Sequence, residues 1–166
     1  VTLTAGEIEA DHYRRMGLEP AAAAQLKGRL RAWDSVAVPR WAGVPEAQCA
    51  QLGYFCLQLP AMQAAPDQPA GPREAQMDDI RPFRRFNTCA LPADADGAPT
   101  WNNLLADLRA LLEKAQPEIL VMPHPQLDPH PDHVCAQAAA LVALQGLAWQ
   151  AQILLCHANP LHVNDL

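Results

Sequence analysis

The sequence predicts an α/β fold built on a mainly parallel sheet, and three observations carry that prediction. Short, near-continuous apolar runs recur along the 166 residues; helical patterns separate them; and glycine or proline marks the junctions. Strands that are apolar on both sides are those buried between helical layers, and helices between them supply the crossovers that parallel pairing requires. The expected architecture is therefore a Rossmann-like three-layer αβα arrangement.

The elements follow in chain order. "VTLT" (1–4) is a β-branched run closed by Ala5-Gly6. Residues 20–37 open at Pro20, whose fixed φ suits a first helical turn, and continue through "AAAAQLKGRLRAWDSVAV". "YFCLQL" (54–59) reads as a second strand, stopped by Pro60. The stretch 61–100 holds many of the 16 prolines, includes "PADADGAP" and shows little periodicity. It reads as a long surface excursion, and loops of that length in compact domains are commonly functional lids or disordered. In 101–115, Leu104, Leu105, Leu108, Leu111 and Leu112 form one apolar stripe at three- and four-residue spacing, and Pro117 ends that helix. "EILVM" (118–122) is a third strand, a helix runs from about Pro131 to Gln145 with Gly146 as its cap, and "AQILLC" (151–156) is a fourth strand.

Composition limits what such a fold does. The length suits a single domain, 1–166, with a sizeable core. Half of the residues are hydrophobic, 18% are charged, and no apolar run approaches the roughly 18 residues of a membrane span. A net charge of -6 without a Lys/Arg cluster argues against a nucleic-acid partner; "RPFRRF" (81–86) reads as a solvated loop. Five cysteines, an odd number without a C-x-x-C pair, indicate neither a disulfide framework nor a thiolate zinc knuckle. They suit a reducing compartment and read mostly as small core residues, as the four tryptophans do. With no signal peptide at its front, the chain is expected to be cytoplasmic. It opens without Met in what reads as the middle of a sheet, so a preceding strand is expected to be missing.

One segment stands apart. "EILVMPHPQLDPHPDHVCAQAAALVALQ" (118–145) places His124, Asp128, His130, Asp132 and His133 within ten positions, half of the six histidines in the chain. They lie just past the carboxyl end of a strand, where open α/β sheets bind ligands. Pro129 and Pro131 fix φ on either side of His130 and stiffen the loop. A helix start favours anionic ligands, and a neutral imidazole is the metal-binding form. Two histidines three apart with interleaved carboxylates suit a hard or borderline metal, chiefly zinc; against this, one histidine near a helix start commonly caps it, and Asp132 is also a natural N-cap.

At these residues the sequence resembles the PIG-L/LmbE-like family of zinc-dependent N-deacetylases, in which an Asp-x-His-Pro-Asp-His run follows a strand and opens a helix. "VTLTAGE" is similar to that family's second strand with its Thr-x-Gly-Glu turn, "LRAWDSVAVPRWAGV" to its Arg-x-x-Glu helix, and "LGYFCLQLP" to the next strand. The resemblance implies removal of an acetyl group from an N-acetylated sugar, such as an N-acetylglucosamine conjugate, with Zn(2+) as cofactor. It implies His133 as a zinc ligand, and His130 beside the metal, stabilising the tetrahedral intermediate or protonating the leaving amine. Asp128 would line the pocket and orient His130 or the substrate, Asp132 would fix a histidine tautomer, and Glu7 and Arg31 would face the sugar.

The family's other motif, His-Pro-Asp-Asp-Glu, supplies the two remaining zinc ligands and the general base and does not occur in these 166 residues; His124-Pro125 is followed by Gln126-Leu127. A parallel sheet lacking a central strand would expose apolar edges and depend on a partner. Three readings follow: a deacetylase domain without its first strand, a non-catalytic sugar-binding or structural homologue, and a metal site formed within the chain by His124, Asp128 and His133.

Overall fold

The computed structural model describes residues 1–156; the last ten residues of the 1–166 domain lie outside the described part. The strands are β1 (Thr2–Thr4), β2 (Gln51–Tyr54), β3 (Ile119–Pro123) and β4 (Gln152–Cys156), and the helices are α1 (Asp11–Arg15), α2 (Pro20–Trp41), α3 (Leu59–Ala64), α4 (Trp101–Ala115) and α5 (Pro131–Leu144). The class is mixed α/β with parallel strands. Instead of one sheet, the described residues form two of two strands each, β1 beside β2 and β3 beside β4.

The locally encoded elements fall where the patterns put them. Thr100 accepts the Asn103 N–H at the start of α4, and Gln116 closes that helix in the left-handed region (φ 42°) just before Pro117. The leucine stripe of α4 packs into the main core, with Leu104, Leu108 and Leu112 buried. Helix α2 runs four residues past its expected end, with Pro39 inside its last turns.

The second strand is displaced. It occupies Gln51–Tyr54 rather than 54–59, and Leu57 turns into the left-handed region at φ 60°. The cause is tertiary: Glu7 accepts the Cys56 N–H and Asp132 the Leu57 N–H, so these two amides leave the extended ladder and the chain bends into α3.

The excursion 61–100 is also corrected, because it is built into the core. Ala75, Ile80, Phe83, Leu91 and Ala93 are buried, and Arg84 is 5% exposed. Phe83 stands edge-on to Phe55 and presses against Gly28 of α2, where an added Cβ would lie 2.5 Å from its ring. Gly28→Ala is therefore expected to destabilise the fold. Overpacking costs about 1–3 kcal/mol and the helix gain of alanine returns about 1 kcal/mol; a lower urea midpoint would register the difference, and an unchanged or higher one would show that Phe83 yields freely.

Of the tryptophans, Trp101 is buried and Trp149 packs against the core, whereas Trp33 and Trp41 are exposed, the latter at 96%. All five cysteines are free; Cys49 and Cys135 are buried and Cys156 is exposed. No helix among the described residues is long and apolar enough to cross a membrane.

Candidate functional site

The histidine-rich loop joins β3 to α5, and its own side chains shape it. His124 Nδ1 accepts the N–H groups of Gln126 and Leu127, each at 3.2 Å, and its carbonyl accepts the Asp128 N–H. His130 is the N-cap of α5: its Nδ1 accepts the Asp132 N–H at 3.2 Å, and its carbonyl accepts from His133 and Val134. Because Nδ1 is the acceptor, the neutral ring carries its proton on Nε2.

Asp128 is fully buried and reaches forward five residues to His133, with Oδ2 2.7 Å from Nδ1. A carboxylate acceptor makes Nδ1 the donor and leaves the Nε2 lone pair as the ligating position. The His130 and His133 rings lie 4.6 Å apart, tilted by 40°. Asp128, expected to orient His130 or the substrate, thus holds the tautomer of His133, the part expected of Asp132.

Asp132 does something else. Its Oδ2 accepts the Leu57 N–H at 2.6 Å, while Oδ1 is buried without a hydrogen-bond partner. Glu7, expected to face a sugar, is fully buried, and both its oxygens accept the Cys56 N–H, at 3.0 and 3.1 Å. Burial, with the negative charge of Asp132 adding, pushes the Glu7 carboxyl up to about 7. Burial and the charges of Asp132 and Glu7 push the Cys56 thiol up to about 12, which makes it a poor nucleophile and a poor metal ligand. Arg31 remains on the exposed face of α2, 3.9 Å from Asp34 and against Gly6. The structure therefore gathers Asp128, His130, Asp132 and His133, ties Glu7 to them through the Cys56-Leu57 turn, and leaves Arg31 apart from that network.

A cavity of about 1320 Å³ opens between the two sheets. Thr2, Leu3 and Thr4 of β1 line it on one side and Leu120–Pro123 of β3 on another; Asp132, His133 and Arg31 also border it. Family models, curated proteins and solved structures were each compared with the chain, and none matches it.

Zinc binds four ligands, at least three of them from the protein. Asp132 and His133 both line the cavity, but among the described residues no group of three or more His, Cys, Asp or Glu side chains is gathered to hold a metal. His124, Asp128 and His133 in particular do not converge, since His124 Nδ1 closes its own turn and Asp128 serves His133 Nδ1. The described residues on their own do not complete a zinc site.

The sequence reading missed the Cys56-Leu57 turn as part of this region. The one local hint is Phe55-Cys56-Leu57, an apolar run whose backbone donors need acceptors once it leaves the ladder.

Proposed function

We propose that the chain carries the histidine side of a zinc-dependent amide hydrolase that removes an acetyl group from an N-acetylated sugar or a related amide. The observation that carries this reading is the Asp128–His133 pair, a buried carboxylate fixing one ring nitrogen of a cavity-lining histidine and freeing the other. A ligating histidine almost always donates its other ring N–H to such an acceptor.

The geometry also supports a part for His130. With Nδ1 engaged as the helix cap, its remaining polar atom is Nε2–H, a donor in the neutral ring next to His133. Such a donor suits a carbonyl oxygen gaining negative charge, and removing one donor of that kind lowers turnover about 10²–10³-fold. A cavity of 1320 Å³ is large enough for a sugar conjugate.

A second reading has its own support. The shortage of ligands among the described residues favours a sugar-binding homologue without turnover.

Two measurements separate them. In the protein purified from its natural source, bound zinc is expected to be lost in His133→Ala and zinc affinity to weaken about 10–100-fold in Asp128→Asn; unchanged zinc content in His133→Ala would remove the ligand assignment. In the protein purified from its natural source, amine release from N-acetylglucosamine conjugates is expected to fall at least about hundredfold in His130→Ala. Sugar binding without amine release by the wild type would favour the second reading and overturn the first.

A further inference from the structure

Helix α2 wears its large apolar residues on the outside. Ala24, Gly28, Ala32 and Val36, four residues apart, are buried against the protein. Leu26, Leu30, Trp33, Ala37 and Trp41, at three- and four-residue spacing, fall on one line along the opposite side. Trp33 is 47% exposed and Trp41 96%. A helix that packs only on its own core does the reverse and turns its large apolar groups inward. Leu26, Leu30, Trp33 and Trp41 do not line the cavity beside the histidine loop, which meets α2 through Arg31, Asp34, Ser35, Val38 and Pro39. The stripe is therefore a surface separate from that cavity.

Positive charge follows the stripe. Helix α2 holds four of the chain's 12 Lys and Arg residues, Lys27, Arg29, Arg31 and Arg40, and one of its 18 Asp and Glu residues, Asp34. By helical spacing, Arg29 and Arg40 flank the stripe on one side and Lys27 and Arg31 on the other. Phe86 widens the patch, its ring 5.3 Å from that of Trp33, and the Arg85 guanidinium lies 5.4 Å over Phe86. Arg40 pairs with Glu46, and Arg31 stands 3.9 Å from Asp34. Arg29 donates to the carbonyl and side-chain oxygens of Gln25, and Lys27 to the carbonyls of Ile8 and Glu9. Among the described residues, Lys27, Arg29 and Arg85 have no carboxylate partner.

We infer that this face of α2, with Trp33, Trp41 and Arg85, docks on the surface of an anionic lipid bilayer and lies among its headgroups without crossing it. Basic groups on both flanks of an apolar helical stripe complement a plane of negative headgroups. Tryptophan, apolar in body with one polar N–H, favours that depth. A protein partner fits less well. The stripe measures about 24 Å by 10 Å, or roughly 240 Å², against about 800 Å² on each partner of a stable protein interface. A second copy laid antiparallel along the stripe would also set Lys27 against Arg40, like charge on like. The acidic remainder of the chain does not cancel the local attraction, because charges beyond about 8 Å are screened at physiological ionic strength.

The inference uses none of the histidine-loop residues, so it stands or falls apart from the hydrolase reading. The test mixes the protein purified from its natural source with vesicles of phosphatidylcholine and phosphatidylglycerol in equal parts, and with vesicles of phosphatidylcholine alone, and measures the fraction that sediments with lipid. Binding is expected to the mixed vesicles only and to fall as salt is raised. Each basic residue at such a surface strengthens binding about fivefold, so Arg29→Gln combined with Arg85→Gln is expected to weaken it roughly twentyfold. Trp41→Ala is expected to weaken it about tenfold with an unchanged circular dichroism spectrum and urea midpoint, because the ring it removes touches almost nothing. Four results would each overturn the proposal. They are no binding to the mixed vesicles, equal binding to both kinds of vesicle, undiminished binding by the variants, and self-association or capture of polyglutamate that is lost in Trp41→Ala while vesicles are ignored. The last would assign the face to a second copy or to an acidic polypeptide.

Discussion

Replacing Asp107 with alanine is expected to destabilise the fold by about 3–5 kcal/mol, the usual cost of leaving a buried charge without its partner. Asp107 is fully buried on α4 and has three donors. Its Oδ2 accepts from the Tyr54 hydroxyl at 3.0 Å and from Arg84 Nη2 at 2.5 Å, and its Oδ1 accepts the Ala93 N–H at 2.9 Å. Arg84 is itself 5% exposed, so its guanidinium cannot turn to water when the carboxylate goes. Asp94, 3.1 Å away and partly exposed, compensates only in part. The pair links β2, α4 and the 61–100 segment, whose integration into the core depends on it. Because neutral replacement of a whole buried pair is often tolerated, Asp107→Leu combined with Arg84→Met is expected to recover part of the loss; the Tyr54 hydroxyl and the Ala93 N–H still lose their acceptor. Urea unfolding followed by circular dichroism decides: a loss under about 1 kcal/mol for Asp107→Ala would mean that water already screens the pair.

The second large effect is a stability that falls as pH rises. Glu7 holds its proton to about 7 in the folded chain against an ordinary value of 4.5, first because it is buried, with the charges of Asp132 and Glu74 adding to the shift and the N–H groups it accepts opposing it. The sign follows from proton counting. Below 4.5 both folded and unfolded forms keep the proton, and the contribution is fully present. Between 4.5 and 7 the unfolded chain releases the proton while the folded chain retains it, so stability declines, and above 7 the loss is complete. A shift of that size corresponds to on the order of 3 kcal/mol. Glu7→Gln keeps an acceptor for the Cys56 N–H and carries no charge, so the variant is expected to match the wild type near pH 4 and to exceed it by roughly that amount at pH 8. The quantity to measure is the difference between the two proteins across the range, since it cancels the other carboxylates. A difference that does not change with pH would mean that Glu7 releases its proton over the same pH range folded as unfolded.

Both effects concern contacts between residues far apart in the chain, and these are what the sequence conceals. Helices α4 and α5 and strands β3 and β4 were legible because their cues are local: a leucine stripe behind Thr100, Pro117 as a stop, Pro131 at a helix start, and short apolar runs between them. The loop from His124 to His133 was legible for the same reason, since its residues lie within ten positions and Asp128 meets His133 at a separation of five. The end of β2 was not legible, because the acceptors that draw Cys56 and Leu57 out of the ladder lie 49 and 75 residues away. Nor was the burial of the 61–100 segment, whose composition is that of a surface loop while its core contacts come from Gly28, Leu52, Phe55 and Asp107.

What the sequence by itself determined was the α/β class, the periodic helices and the clustering of histidines and aspartates at one strand-to-helix junction, since each arises from neighbours within a few turns of chain. The tertiary structure alone decided which carboxylate supports which histidine, that Glu7 is sealed in rather than offered to a ligand, and that the strands form two pairs with an open slot between them. Those outcomes depend on which backbone donors find acceptors across the fold, and that matching is made only when distant segments meet.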